Sequence, residues 1–154
     1  MFPNMHGDTS ATTTTDRIID DFQNSRNLKL PKLYREFLRS TNGGIPDRNT
    51  YPISGMSNNP EGGIQCFFGF QKQIEVDALP WNYDLYAGSF PHGVVPIAGN
   101  GGGDYVCLNL RGGRERVAFW NFRHFWGTGE WRESDLYPIA DSFEQFLASL
   151  TISA

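Results

Sequence analysis

Reactive side chains are scarce in this chain: two cysteines and three histidines occur among its 154 residues. Cys66 and Cys107 lie far apart, each inside an apolar run, with no CxxC or Cys/His ligand spacing. That argues against zinc and for two reduced thiols in a reducing cytosol. His6, His92 and His124 are scattered, none beside a Ser or Cys in a nucleophile motif, so no catalytic histidine is expected. A basic surplus is missing too. The formal net charge of -4 argues against a general nucleic-acid binder, which must offer a positive field to phosphates. Mild acidity suits a basic partner or simple solubility. No apolar run is long enough to span a bilayer, and no apolar leader-like stretch opens the chain. A cytoplasmic protein without membrane contact or cofactor is therefore expected.

What is present is enough for one core. Hydrophobic residues make up 39% and aromatics 14%, so a chain of this size buries roughly two-thirds of its unfolded surface. Residues 1–14, with threonines 12–15, lack a packing pattern and read as a mobile tail ahead of a single domain over 15–154. From Asp16, Ile18, Ile19 and Phe22 form the apolar face of a helix whose Asp20 and Asp21 face water. A second helix follows Pro31, with Tyr34, Phe37 and Leu38 on one side and Asn42-Gly43-Gly44 as a left-handed stop. Prolines and glycines make 45–63 a loop, 64–70 reads as a strand, and 71–88 suggests a short helix broken at Pro80. Strands are expected over 94–98, 104–110 and 116–122, the last two joined by a hairpin over 111–115. In the middle one, Val106, Leu108 and Leu110 share a face opposite Tyr105, Cys107 and Asn109. Asp141 and Glu144 then read as the entry to a helix that presents Phe143, Phe146, Leu147 and Leu150. The fold class is α+β: two N-terminal helices, a central mainly antiparallel twisted sheet, and a C-terminal helix packed on it.

The run Gly99-Asn100-Gly101-Gly102-Gly103-Asp104 is the most distinctive motif. Three consecutive glycines imply a backbone path that side chains would block. A phosphate-cradling loop opens a helix, whereas this one opens the strand pattern Tyr105-Val106-Cys107-Leu108. Calcium wants six or more oxygens, and Asn100 with Asp104 are too few. Gly101, Gly102, Gly103 and Asp104 are thus expected to form a structural turn, with Asp104 bonded to the loop's own amides. A small-ligand or nucleotide site there is the alternative. A second segment, 123–133, mixes Arg123, His124, Trp126 and Trp131 with glycine in an expected loop. Trp and Arg dominate binding hot spots, although Trp126 and Trp131 would equally cover a sheet edge. Trp81, Tyr83, Tyr86 and Phe90 pose the same choice.

Three blocks of sequence, taken together, resemble the SUKH superfamily, in the branch related to the yeast regulator of cell-wall glucan synthesis. They are residues 30–38 (LPKLYREFL) with Asn42-Gly43-Gly44, then Val95-Pro96-Ile97-Ala98 with residues 101–108 (GGGDYVCL), and residues 139–147 (IADSFEQFL). Asn100 and Asn109 depart from that pattern, which usually carries aspartates, and residues 119–122 lack its Asp-His-Glu. The resemblance implies a non-enzymatic, protein-binding domain. Bacterial members are mostly immunity proteins that neutralise toxin domains, often nucleases, and eukaryotic members act in regulatory assemblies. A cognate toxin domain is therefore the expected partner, and a regulatory scaffold, for instance in cell-wall synthesis, is the alternative. Asp20, Asp21, Asp47, Glu61, Asp77 and Asp84 are acidic candidates for meeting a basic partner. Asp47 and Glu61 in the 45–63 loop, Trp81, Tyr83, Arg123, His124, Trp126 and Trp131 are the expected partner-binding residues.

Overall fold

A computed structural model describes residues 2–7, 14–56 and 61–153. Helices α1 (Asp16–Ser25) and α2 (Lys32–Thr41) lead into two short strands, β2 (Ile45–Pro46) and β3 (Thr50–Pro52), preceded near the start of the chain by β1 (Met5–His6). Then come β4 (Glu61–Phe67), α3 (Leu79–Tyr86), β5 (Val94–Asn100), β6 (Tyr105–Asn109), β7 (Arg116–Trp120), α4 (Arg123–Thr128), β8 (Leu136–Ala140) and α5 (Phe143–Ser149). Strands β3 to β8 form a six-stranded antiparallel meander in chain order, and β1 pairs with β2 separately. The class is α+β, as the sequence implies.

Both sheet faces are covered, and side-chain alternation divides the strands between two cores. Val106, Leu108, Val117 and Phe119 join Phe22, Tyr34, Phe37, Phe143 and Phe146 beneath α1, α2 and α5. Their neighbours Cys107, Ala118 and Trp120 point the other way, into a cluster with Phe90 and Leu136. There Trp120 meets the Phe90 ring at 4.5 Å and stacks on Trp131 at 6.1 Å. Helix α3 serves both cores, giving Leu79 and Tyr83 to the first and Tyr86 to the second. Past α5, Thr151 pairs with Thr50 through two backbone hydrogen bonds of 2.9 and 3.0 Å, and so engages edge strand β3.

Several local expectations change. Residues 2–7 are packed: Phe2 lies edge-on to Phe37 at 5.5 Å, and Met5 and His6 pair with Pro46 and Ile45. The rest of the expected tail, 8–13, lies outside the described residues, as do 57–60 of the expected loop. The 45–63 segment is only partly loop, because β2, β3 and the start of β4 lie in it. Pro80 falls in the first turn of α3, where no N–H is needed, so it starts that helix instead of breaking one. Residues 123–128, read as loop, form α4. The α5 cap is shifted by one residue. The Ser142 hydroxyl accepts the Gln145 N–H at 3.0 Å, and Gln145 Oε1 accepts the Asp141 N–H at 2.6 Å. Asp20 is only half in water, since its carboxylate holds Arg35 of α2 at 2.6 Å.

The expected strand 64–70 stops at Phe67 because Asn42 takes hold of Phe70. Asn42 closes α2 in the left-handed conformation, at φ 51°, and is fully buried. Its Nδ2 donates to the Phe70 carbonyl at 2.8 Å, and its Oδ1 accepts the Phe70 N–H at 2.7 Å. Both backbone groups of Phe70 are thereby satisfied away from the sheet. Gly69 lies so close to the Asn42 carbonyl that no Cβ fits between them. Asn42→Ala should destabilise the domain by about 2–4 kcal/mol, since it strands two buried backbone groups. Asn42→Gly should fall between the parent and the Ala variant, because it removes the left-handed strain but does not restore the lost bonds. Urea unfolding at neutral pH measures both.

Candidate functional site

The segment released by this clamp forms one lip of an open groove of about 590 Å³. Gly69 donates to the Asp77 carbonyl at 3.1 Å and accepts from Leu79 N–H at 2.7 Å, which pins both ends of the 70–78 excursion. Buried Asn82 of α3 then donates to the carbonyls of Val76 (2.9 Å) and Ala78 (2.8 Å). With its polar groups held inward, the excursion presents Ile74 and Val76 to solvent. Leu85 of α3, Ile45 of β2 and Trp126 of α4 add three more exposed apolar side chains to the lining. Six large apolar side chains are exposed among the described residues, and five of them line this groove: Ile45, Ile74, Val76, Leu85 and Trp126. Trp126 is 81% exposed.

The glycine-rich run forms the polar end of the groove and is the turn between β5 and β6. Asn100 N–H donates to the Asp104 carbonyl at 2.8 Å, and Gly103 N–H to the Asn100 carbonyl at 3.2 Å. Of the three glycines only Gly103 has positive φ, at 94°, and a Cβ there would stand 2.8 Å from the Phe122 ring. Gly101 has open space around it. The blocked path inferred from sequence is therefore set by one aromatic ring. Asp104 does not brace its own loop as expected: Oδ1 accepts the Phe122 N–H at 3.1 Å, tying the turn to the entrance of α4. Burial pushes the Asp104 carboxyl above the ordinary carboxylate range, against the opposing pull of that N–H and of the Arg123 charge.

The other expected partner-binding residues separate. Trp81 lines the groove with Trp126. Tyr83 is buried against Phe22 with centroids 5.9 Å apart, and half-buried Trp131 covers Phe90 at 4.7 Å, so both pack the protein's own aromatics. Arg123 is exposed at the start of α4, and His124 Nε2 lies 3.9 Å from Glu130. Asp47 and Glu61 are exposed, and Asp47 accepts from Asn4 at 3.5 Å. Of the acidic candidates, Asp77 lines the groove whereas Asp20 and Asp84 are engaged by Arg35 and Arg26. The sequence reading placed Asn42 as the stop of α2 but missed its hold on Phe70, and it missed Asn82 altogether, for a buried amide that holds distant backbone groups carries no local signal. It also missed Ile74, Val76 and Leu85, which lie in the segment left without a clear pattern.

Among the described residues no group of three or more His, Cys, Asp or Glu is placed to hold a metal ion. Cys66 borders the groove, but burial, reinforced by nearby Asp77, pushes its thiol up to about 12, so it stays protonated at neutral pH. A protonated thiol is a weak nucleophile. Cys107 is wholly buried and its thiol is raised further.

The fold is thus an α+β domain whose sheet carries an apolar groove at one end. The model of the SMI1 / KNR4 family (SUKH-1) matches residues 13–149, and the chain belongs to that family. It is similar to the SPbeta prophage-derived uncharacterized protein YokK of Bacillus subtilis (strain 168): 26% identical over 137 residues, covering 79% of this chain and 67% of the relative.

Asp104 offers a test of the turn. Asp104→Asn keeps an acceptor for the Phe122 N–H and removes a half-buried charge, whereas Asp104→Ala loses the acceptor and about 1 kcal/mol of stability. An acid with a raised native pKa destabilises the fold once it ionises. The Asn variant should therefore gain on the parent as pH rises from about 3.5 to about 7. Urea midpoints at both pH values read the difference.

Proposed function

We propose that this protein is a non-enzymatic binding domain that sequesters a cognate toxin domain in the cytoplasm of the cell that makes it, in the manner of an immunity protein. Membership of the SUKH-1 family and similarity to a prophage-derived protein support this reading. The observation that carries it is the convergence of five exposed apolar side chains on one groove. Exposed apolar patches of this kind mark interaction sites, since leaving them in water is unfavourable. The groove also has the anatomy of a protein interface. Trp81, Leu85 and Trp126 supply apolar anchors, and Asp77, Asp104 and Lys72 supply charge around them. A basic nuclease toxin fits the acidic members of that rim.

The test is co-expression with the toxin domain encoded beside the gene. The protein should restore growth and co-purify with the toxin. Trp126→Ala should weaken binding about 10- to 100-fold by calorimetry, with an unchanged melting temperature because the side chain is so exposed. Leu85→Asp should abolish rescue. Rescue that survives both variants would remove the groove from the reading, and the absence of any toxic neighbour would favour a regulatory scaffold.

A further inference from the structure

A second groove, of about 620 Å³, shares no lining residue with the first and lies toward the opposite end of β5 and β6. Three turns meet there: 27–31 between α1 and α2, 91–93 before β5, and 110–115 between β6 and β7. Its charge is one-sided in a chain that is acidic overall. Four cations, Lys29, Lys32, Arg111 and Arg114, line it beside His92, against one carboxylate, Glu115. Glu115 is already engaged, its Oε2 accepting the Phe143 N–H at 2.6 Å. Arg111 is held by Glu133 through two bonds of 2.9 and 2.7 Å. His92 Nε2 contacts the Arg26 carbonyl at 3.2 Å.

Lys29, Lys32 and Arg114 are different. All three are exposed, and none forms an ion pair with a described residue. Arg26, Arg35, Arg39 and Arg132, by contrast, each hold a carboxylate within 4 Å. The first turn of α2 adds to the positive field, for its N-cap, Pro31, supplies no side-chain acceptor.

We propose that this basic groove docks an acidic segment of a protein partner, one in which carboxylates alternate with apolar side chains. The lining chooses between anions. No Phe, Tyr or Trp is part of it, so a nucleobase would find no broad ring to stack on. Half-buried Pro31 and Leu110, over the covered edges of Leu28 and Leu30, give it a small apolar floor instead, with the cations on its rim. Apolar side chains fit that floor and carboxylates fit that rim. The site is separate from the Trp126 groove and does not depend on what occupies it.

The probe is a capped peptide of alternating glutamate and leucine, titrated into the full chain and followed by calorimetry and amide chemical shifts. Saturable binding should shift the amides of Lys29, Lys32, His92 and Gly112 and weaken with added salt. Lys29→Glu, Lys32→Glu and Arg114→Glu should each lower affinity by about three- to tenfold, and the triple variant should abolish it. The glutamine version of the peptide should not bind, which tests charge with the protein unaltered. Trp126→Ala should leave this affinity unchanged, so failure here and failure of toxin binding are told apart. Absence of saturable binding, equal binding by the glutamine peptide or by a folded triple variant, or tighter binding of oligothymidylate or pyrophosphate would overturn the proposal.

Discussion

The two hydrogen bonds between Asn42 and Phe70 organise more of this molecule than their number suggests. They join the end of α2 to the exit of β4, and they are made where water does not compete. Without a partner, each Phe70 backbone group would be desolvated for nothing, a loss comparable to a whole hydrogen bond. With one, the chain leaves the sheet after Phe68, whose N–H still reaches Ile97 of β5, and an isolated Gly69–Ala78 bridge closes the base of the excursion. The excursion between those points carries Ile74 and Val76. The apolar groove therefore depends on a buried amide that is not part of its lining.

The sheet provides the platform for both grooves. Because alternate residues of β6 and β7 enter different cores, little of their surface is left in water, and both grooves open at the turns at the strand ends. At one end the β5–β6 turn, the 70–78 excursion and α4 enclose an apolar cleft. At the other, the β6–β7 turn and the start of α2 enclose a basic one. The net charge of -4 averages over this polarity and conceals it. Ion pairs explain part of the concealment: Arg35 and Arg39 are held by Asp16 and Asp20, so those acids contribute less free field than their number implies. Exposed pairs of this kind stabilise by only a few tenths of a kcal/mol to about 1 kcal/mol each. Their larger effect here is on which charges remain available to a partner.

Much of the architecture was legible because it follows from short-range rules. The periodicity of Ile19 and Phe22, the left-handed stop at Asn42 and the alternation through Val106, Cys107 and Leu108 each depend on neighbours within one turn or one strand. Errors fell where two local solutions were equally good. Asp141 and Ser142 are both capable helix caps, and the choice went to the residue that let Gln145 reach back. Pro80 fits either a helix break or a helix start. The candidate site was less legible. Trp81 and Trp126, chosen by residue type, line the groove, but the same rule selected Tyr83 and Trp131, which spend their surface on Phe22 and Phe90.

By itself the amino-acid order determined the α+β class, most of the helices and strands, and the tight turn at residues 99–104, because backbone propensity and side-chain period act over a few residues. The tertiary structure alone decided why Gly103 must be glycine, where Asp104 directs its carboxylate, and which aromatic residues stay in water. It also decided that five apolar side chains from β2, the 70–78 excursion, α3 and α4 meet in one groove. Those outcomes depend on contacts between residues far apart in the chain, such as the Phe122 ring over Gly103 and the Asn42 amide on Phe70. No local pattern encodes such distances.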